Sequence, residues 1–419
     1  MMNLPSGRNS AVRDAPCDHP AAWVLRYKPQ TTQQRAYYLT LLFKAWSKRI
    51  RSTAMTEYKK QHYLPKFFLR RFSEDGTGVF VYRVDDRTVQ RRNIRSMASE
   101  HYFYADSSKA KLFEETMSVF EKSHSEILER INETEGLQSL TEIDRFELLR
   151  FILLVMTRTK ESKMEAESMF NAVMDELKPN MVKSLQSQGL SITEDYTIRI
   201  RLNHSNSIGI LFALKEGPVT ISDLGFALLL NDTGLPFVCG DSPVILHNRI
   251  LPGATALLSP GLLIIAPISE KIAILLFDKE LYRFRMEANE IIRIKKERDI
   301  DELNRLQLIN CLEFVLFSKE SLGDYMMDLG KRGIRNLKKT PFAESFKRAE
   351  SDGTHDYIVT RGKRILYEPR LSFIQINVRG ARDLRRLAAT AKGPTGFIAA
   401  RNPEIARFVE ELRGKESRG

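Results

Sequence analysis

The sequence predicts an α+β fold, an antiparallel or mixed β-sheet packed with long amphipathic helices and followed by a basic C-terminal extension. Three observations predict it. Apolar and polar residues alternate from Val79 to Val84, then a turn leads into a polar strand. From Phe113 the period changes, with Met117, Phe120, His124, Ile127 and Ile131 recurring at three- and four-residue steps. Residues 226–290 then hold four short apolar runs, FALLLN, PFVCGDSPVIL, LLIIAP and KIAILLF, separated by turn residues.

The elements follow in order. In QHYLPKFFLRRF (61–72), Pro65 suits the first turn of a short helix over 66–72, where its missing N–H costs nothing. VFVYRV, DDRT and VQRRN form a hairpin with one wet face, and HYFYA (101–105) reads as another strand. A helix begins near Lys111. Thr141-Glu-Ile-Asp144 resembles a capping box, and its helix can run to about Leu177, before Pro179. Residues 190–202 alternate as a strand, 207–214 suit a helix, and 298–317 return to helical spacing. Near the end come a strand pair around 356–367 and 373–378 and a helix over 403–412.

Composition narrows the class. At 42% hydrophobic and 28% charged residues, the chain can build a large core. Cys17, Cys239 and Cys311 lie far apart without a CxxC pair, which argues against a disulfide framework or structural zinc and fits a cytoplasmic location. The longest apolar run, 257–268, is broken by Ser259, Pro260, Gly261 and Pro267, so no membrane span is expected. The net charge of +12 is unevenly spread. Residues 61–330 hold 33 Lys/Arg against 40 Asp/Glu, whereas 331–419 hold 21 against 10 and 1–60 hold 11 against 3. A nucleic-acid partner is therefore expected only at the basic flanks. The boundaries read as a leader over 1–54, a core over 55–322 and a basic region over 323–419. The leader has no period, and Met55 is a plausible start just before the patterned sequence.

Several polar residues stand out against apolar surroundings. His62 is either a general base or metal ligand, or a hydrogen-bonded core histidine. Asp241, in Gly240-Asp241-Ser242-Pro243 between two apolar strands, is either a carboxylate fixed at a strand end or a turn former. Arg158, in LLRFILLVMTRTK, needs a partner if it faces inward, as a structural ion pair or as an anion-binding fork. Asn304 falls one turn into the helix that Asp299 or Asp301 can cap. Glu121 and His124 have i, i+3 metal-pair spacing, but without a second copy a solvated face accounts for them too. No Walker motif, GxGxxG, HExxH or GxSxG elbow occurs.

The order of these pieces resembles the bacterial domain-of-unknown-function family numbered 4238. The matching positions are His62, Pro65, Arg70, Phe72, Arg158, Asp241, Pro243, Leu303 and Asn304, and the resemblance spans about residues 57–320. It implies no activity, but it groups His62, Arg158, Asp241 and Asn304 as one set and supports Met55 as the start. Two functions are carried forward. One is a metal-dependent hydrolase of nuclease or phosphodiesterase type, with Asp241 and His62 holding Mg²⁺ or Mn²⁺, His62 as base and Arg158 steadying anionic charge. The other is a non-catalytic nucleic-acid- or protein-binding module that uses the basic C-terminal region. The four polar residues can equally be a network that fixes the fold.

Overall fold

The computed structural model describes residues 60–101, 103–104, 110–189, 206–287, 289–333, 347–348, 358–359, 365, 367–390 and 400–416. The leader, Met55 and the strand expected over 190–202 lie outside them.

The fold is α+β, as expected, with two main sheets. The chain opens with β1 (Lys60–His62), then α1 (Lys66–Arg70) with Pro65 as its N-cap residue. The hairpin forms as β2 (Gly78–Arg83) and β3 (Val89–Asn93). The next strand, β4 (Ser99–His101), ends where HYFYA begins, because residues 99–101 pair antiparallel with β1.

Helices follow as α2 (Ala110–Thr134), α3 (Glu142–Thr157), α4 (Lys160–Ser187), α5 (Asn206–Leu214) and the short α6 (Gly217–Thr220). The capping box at Thr141 and Asp144 is formed. The single helix expected from there to Leu177 is instead two. Thr159 adopts extended backbone and its hydroxyl accepts from the Ser162 N–H, starting a new helix that carries Pro179 inside it.

The larger sheet contains β5 (Gly225–Asn231), β7 (Ile245–His247), β8 (Leu263–Pro267), β9 (Ile272–Phe277) and β11 (Ile291–Ile294), in the order β11-β5-β9-β8-β7. Its pairs are antiparallel except β11–β5. Every residue of β8 and β9 is buried, so both faces of the sheet are covered there and the runs read as continuous apolar stretches rather than alternating ones. The second sheet has the order β3-β2-β12-β6, with β6 (Cys239–Gly240) and β12 (Phe314–Phe317). Between β11 and β12 runs α7 (Glu297–Asn310), so the helix expected over 298–317 ends earlier and its tail is a strand. The apolar side of α7 packs on the larger sheet through Ile300, Leu303 and Leu306, all buried.

The described residues of 323–333 and 365–416 in the C-terminal region contribute to this body's cores. After α8 (Gly323–Gly333) come β13 (Lys347–Arg348) and β14 (Ile358–Val359), which pair with each other. The 373–378 stretch pairs elsewhere: β15 (Gln375–Ile376) joins β10 (Tyr282–Arg283). Leu371, Ile374 and, from α9 (Val378–Thr390), Ala381 and Leu384 enter the larger sheet's core. Arg401 inserts its guanidinium against both Asp223 carboxylate oxygens at 2.8 Å and donates to three carbonyls, those of Leu257, Ser259 and Thr220. Ile405 and Val409 of α10 (Pro403–Glu416) are buried. No clear basic C-terminal extension stands apart among the described residues, whose apolar side chains enter the core.

Candidate functional site

Residues 241–244 carry the chain from β6 of the second sheet into β7 of the larger one. Such a crossover leaves backbone polar groups without ladder partners, and they need other ones. One face of α7 supplies them. Asn304 accepts from the Val238 N–H at 3.0 Å and donates to Pro236 O at 2.9 Å. Gln307 accepts from the Gly240 N–H at 2.9 Å and donates to Pro243 O at 2.8 Å. Asn310 donates to the carbonyls of Ser242 and Val244. Gly240 eases this close approach: a Cβ there would lie 3.0 Å from Gln307 O and 3.2 Å from Cys311 Cβ, so α7 would have to give by a few tenths of an ångström.

Asp241 is 2% exposed and turns the other way, onto the loop before β12. Its Oδ1 accepts from the Leu312 N–H and its Oδ2 from that of Glu313, both at 2.7 Å, with Phe314 N at 3.3 Å. Burial pushes its carboxyl up, the Leu312 and Glu313 N–H groups pull it down, and the nearby charges of Glu161 and Glu313 add to the rise, to about 7. Glu313 is itself paired with Lys160, which also reaches Glu100. Burial raises the Tyr63 hydroxyl, and Asp241 raises it further, so β1's neighbour senses this carboxylate.

Arg158 caps α3 at the helix break and is 3% exposed. Its guanidinium donates to Glu121 at 2.7 Å and to His62 O at 2.9 Å, and its Nε lies 3.4 Å from the Tyr104 hydroxyl. That hydroxyl in turn donates to Arg158 O at 2.9 Å. Burial pulls the guanidinium down, and Tyr104 and Glu121 outweigh it, so Arg158 stays charged. His62 is half-buried, with Nε2 3.3 Å from Arg95 O. Burial first, then Lys66, lowers it to about 4, so its ring is neutral at pH 7.

The four candidates thus divide. His62 and Arg158 meet, through the histidine's backbone carbonyl rather than its ring. Asp241 ties the crossover to the loop before β12, whereas Asn304 holds the approach to β6 at Pro236 and Val238. Glu121 and His124, the helical pair, part company: Glu121 binds Arg158, while His124 is 3% exposed and faces Glu147 across 3.5 Å. Among the described residues, no three His, Cys, Asp or Glu side chains gather as metal ligands.

Other residues matter that composition did not flag. In the aromatic box it is Arg71, not the exposed Arg70, that turns inward, donating to Ile268 O at 3.0 Å, Leu128 O at 2.8 Å and Glu129 at 3.1 Å. Gln307 and Asn310 repeat the Asn304 spacing, a signal visible in the sequence. A polar cleft of about 540 Å³ opens beside α7, lined by Arg298, Glu302, Arg305, Tyr367, Glu368 and Arg370. The three residues from α7 follow at i, i+4 and i+7, one helix face.

The family profile that matches the chain is DUF4238, described as a protein of unknown function, over residues 60–321. The chain belongs to DUF4238. It matches no curated protein and no solved structure. The DUF4238 match takes in all four candidates, together with Arg298, Glu302 and Arg305; the other wall of the cleft, Tyr367, Glu368 and Arg370, lies beyond it. No described helix of this DUF4238 protein is long and apolar enough to cross a membrane.

Proposed function

We propose that this DUF4238 protein is a binding module for nucleic acid, held through its phosphates by the arginines of the C-terminal region. The observation that carries this reading is α9. Ala381 and Leu384 anchor the helix in the core, and Arg379, Arg382 and Arg386 recur at i, i+3 and i+7 on its exposed side. None of the three has a hydrogen-bond or ion-pair partner among the described residues. Charged donors at that spacing on a rigid element suit a phosphate backbone, which is read by position and charge rather than by sequence.

The hydrolytic reading asks His62, Arg158 and Asp241 to share an open hollow. Each is instead engaged by its own chain, and both Asp241 oxygens already accept backbone N–H groups, which favours binding over catalysis.

Fluorescence anisotropy with a labelled duplex, between about 50 and about 200 mM salt, tests the proposal. Binding is expected to weaken steeply with salt. The R379A/R382A/R386A variant is expected to lose at least about tenfold in affinity and to flatten the salt slope by about 2 to 3, near 0.9 per phosphate contact. Unchanged binding in that variant would remove the proposal.

A further inference from the structure

The cleft beside α7 differs in kind from the open face of α9. It is concave, its six lining side chains are all polar, and its volume of about 540 Å³ is that of a small-ligand site. Arg298 and Arg370 are exposed and have no partner among the described residues. Arg305 is held differently. The Tyr367 ring lies over its guanidinium at 4.3 Å, one of its terminal nitrogens donates to the Tyr367 hydroxyl at 3.2 Å, and the other donates to Arg332 O at 3.3 Å. Its Nε is buried without a hydrogen-bond partner, and no described carboxylate forms an ion pair with it. That nitrogen is shut off from solvent, so a ligand in the cleft meets the positive charge of Arg305 rather than this donor.

The two acids of the cleft are already engaged. Glu368 pairs with Arg249 and lies 3.2 Å from His247, and Glu302 accepts from the Tyr367 hydroxyl. With Glu368 taken up by Arg249 from outside the lining, the three lining guanidiniums face one remaining carboxylate, Glu302. A ligand that balances this surplus carries about two negative charges on a compact, oxygen-rich group.

We propose that the cleft binds a phosphate monoester, its dianionic phosphate gripped by Arg298 and Arg370 and balanced further by the charge of Arg305. At neutral pH such a group carries ~1.5 to 2 negative charges and three strong acceptor oxygens, a match for guanidinium forks. A backbone phosphodiester, with one charge, leaves part of the surplus unbalanced. The ligand is a free ester or the phosphorylated end of a strand. Tyr367 is a positioning residue: it orients Arg305 by stacking and by accepting from its terminal nitrogen. The proposal goes beyond the polyanion reading and stands without it, because it uses different arginines.

Titration calorimetry of the full chain with inorganic phosphate, at constant ionic strength, tests it. Saturable binding is expected, weakened at least about tenfold in R298A/R370A, whose substitutions lie on the exposed surface, and unchanged in R379A/R382A/R386A. Displacement of phosphate by ribose 5-phosphate alone would support a free ester. Displacement also by a short 5′-phosphorylated strand, but not by its 5′-hydroxyl form, would support a strand end. No saturable phosphate binding, equal loss in both variants, or displacement by neither competitor would overturn the proposal. Saturable phosphate binding by an unsubstituted chain that does not bind the duplex would strike only the polyanion reading.

Discussion

Asp241 sits under opposed pulls, and its titration is where they can be read. Three N–H groups favour its charged form, while burial and two neighbouring glutamates favour the neutral one. The folded-state value of about 7 stands above the ordinary 3.8. Its contribution to stability is therefore complete below about 4 and is lost as pH rises to about 7, where the folded protein gives up its extra proton. His62 works in the other direction: lowered from 6.5 to about 4, it costs stability as pH falls through that window. Asp241→Asn separates the two. In urea denaturation, the stability of the wild type relative to this variant is expected to fall between about pH 4 and about pH 7. The variant should also be less stable overall by about 1 to 3 kcal/mol, because its amide NH₂ leaves one of the Leu312 and Glu313 N–H groups unpaired. A pH-independent difference would show that the carboxyl is not the titrating group. Arg158→Met strands the Glu121 carboxylate and the His62 carbonyl, and it is expected to cost about 3 to 5 kcal/mol by the same denaturation. That Arg158 and Asp241 stand out was legible in the sequence, since each breaks an apolar stretch, and His62 stands just ahead of one. Their partners were not, because backbone groups at His62 and at 312–314 carry no residue-type signal.

At the scale of elements, α7 shows what periodicity reveals and what it leaves hidden. Its apolar stripe, Ile300, Leu303 and Leu306, announces a helix against a sheet, and that part was legible. The polar stripe Asn304, Gln307 and Asn310 has equal regularity but reads as a wet face until the crossover it braces is seen. Gln307→Leu tests that brace. It keeps the helix and removes partners for the Gly240 N–H and the Pro243 carbonyl, so a loss of about 2 to 4 kcal/mol is expected from two stranded buried groups. A loss under about 0.5 kcal/mol would mean that the crossover is held without it. Capping explains both the success and the failure in the helical half. Thr141 and Asp144 are separated by the spacing that a capping box requires, so the start of α3 could be placed from sequence. The break at Thr159 was missed because a threonine in an apolar helix is ordinary until its backbone turns extended, and Pro179 drew the boundary instead. Short strands such as β6 and β7 owe their existence to their neighbours and have no length for a period to develop.

Across the whole molecule, charge and packing divide the chain differently. By charge the basic region begins near 331, after a mildly acidic core. By packing there is no seam at 323 among the described residues. Leu371, Ile374, Ala381 and Leu384 share the larger sheet's core, the Ser372 backbone N–H and hydroxyl both reach Asp299 on α7, and Arg401 closes over Asp223. A chain ending at Leu322 loses all of this. Each fully buried aliphatic side chain contributes about 1.5 to 3 kcal/mol, so the larger ones removed, Leu371, Ile374 and Leu384, already rival a net stability of about 5 to 15 kcal/mol. The truncated chain also exposes the apolar surface those residues covered, Leu281 and Ile250 among it. Calorimetry is therefore expected to show one cooperative transition for the full chain, and either no transition or a much lower midpoint for the truncated one, with dye binding to exposed apolar surface. A truncated chain that melts like the full one would make residues 323–419 a separable domain. The same reasoning decides how phosphate recognition must be probed. Deleting the basic region is expected to unfold the core along with removing its charges, whereas arginine substitutions on α9 or in the cleft change the charge and leave the packed face intact.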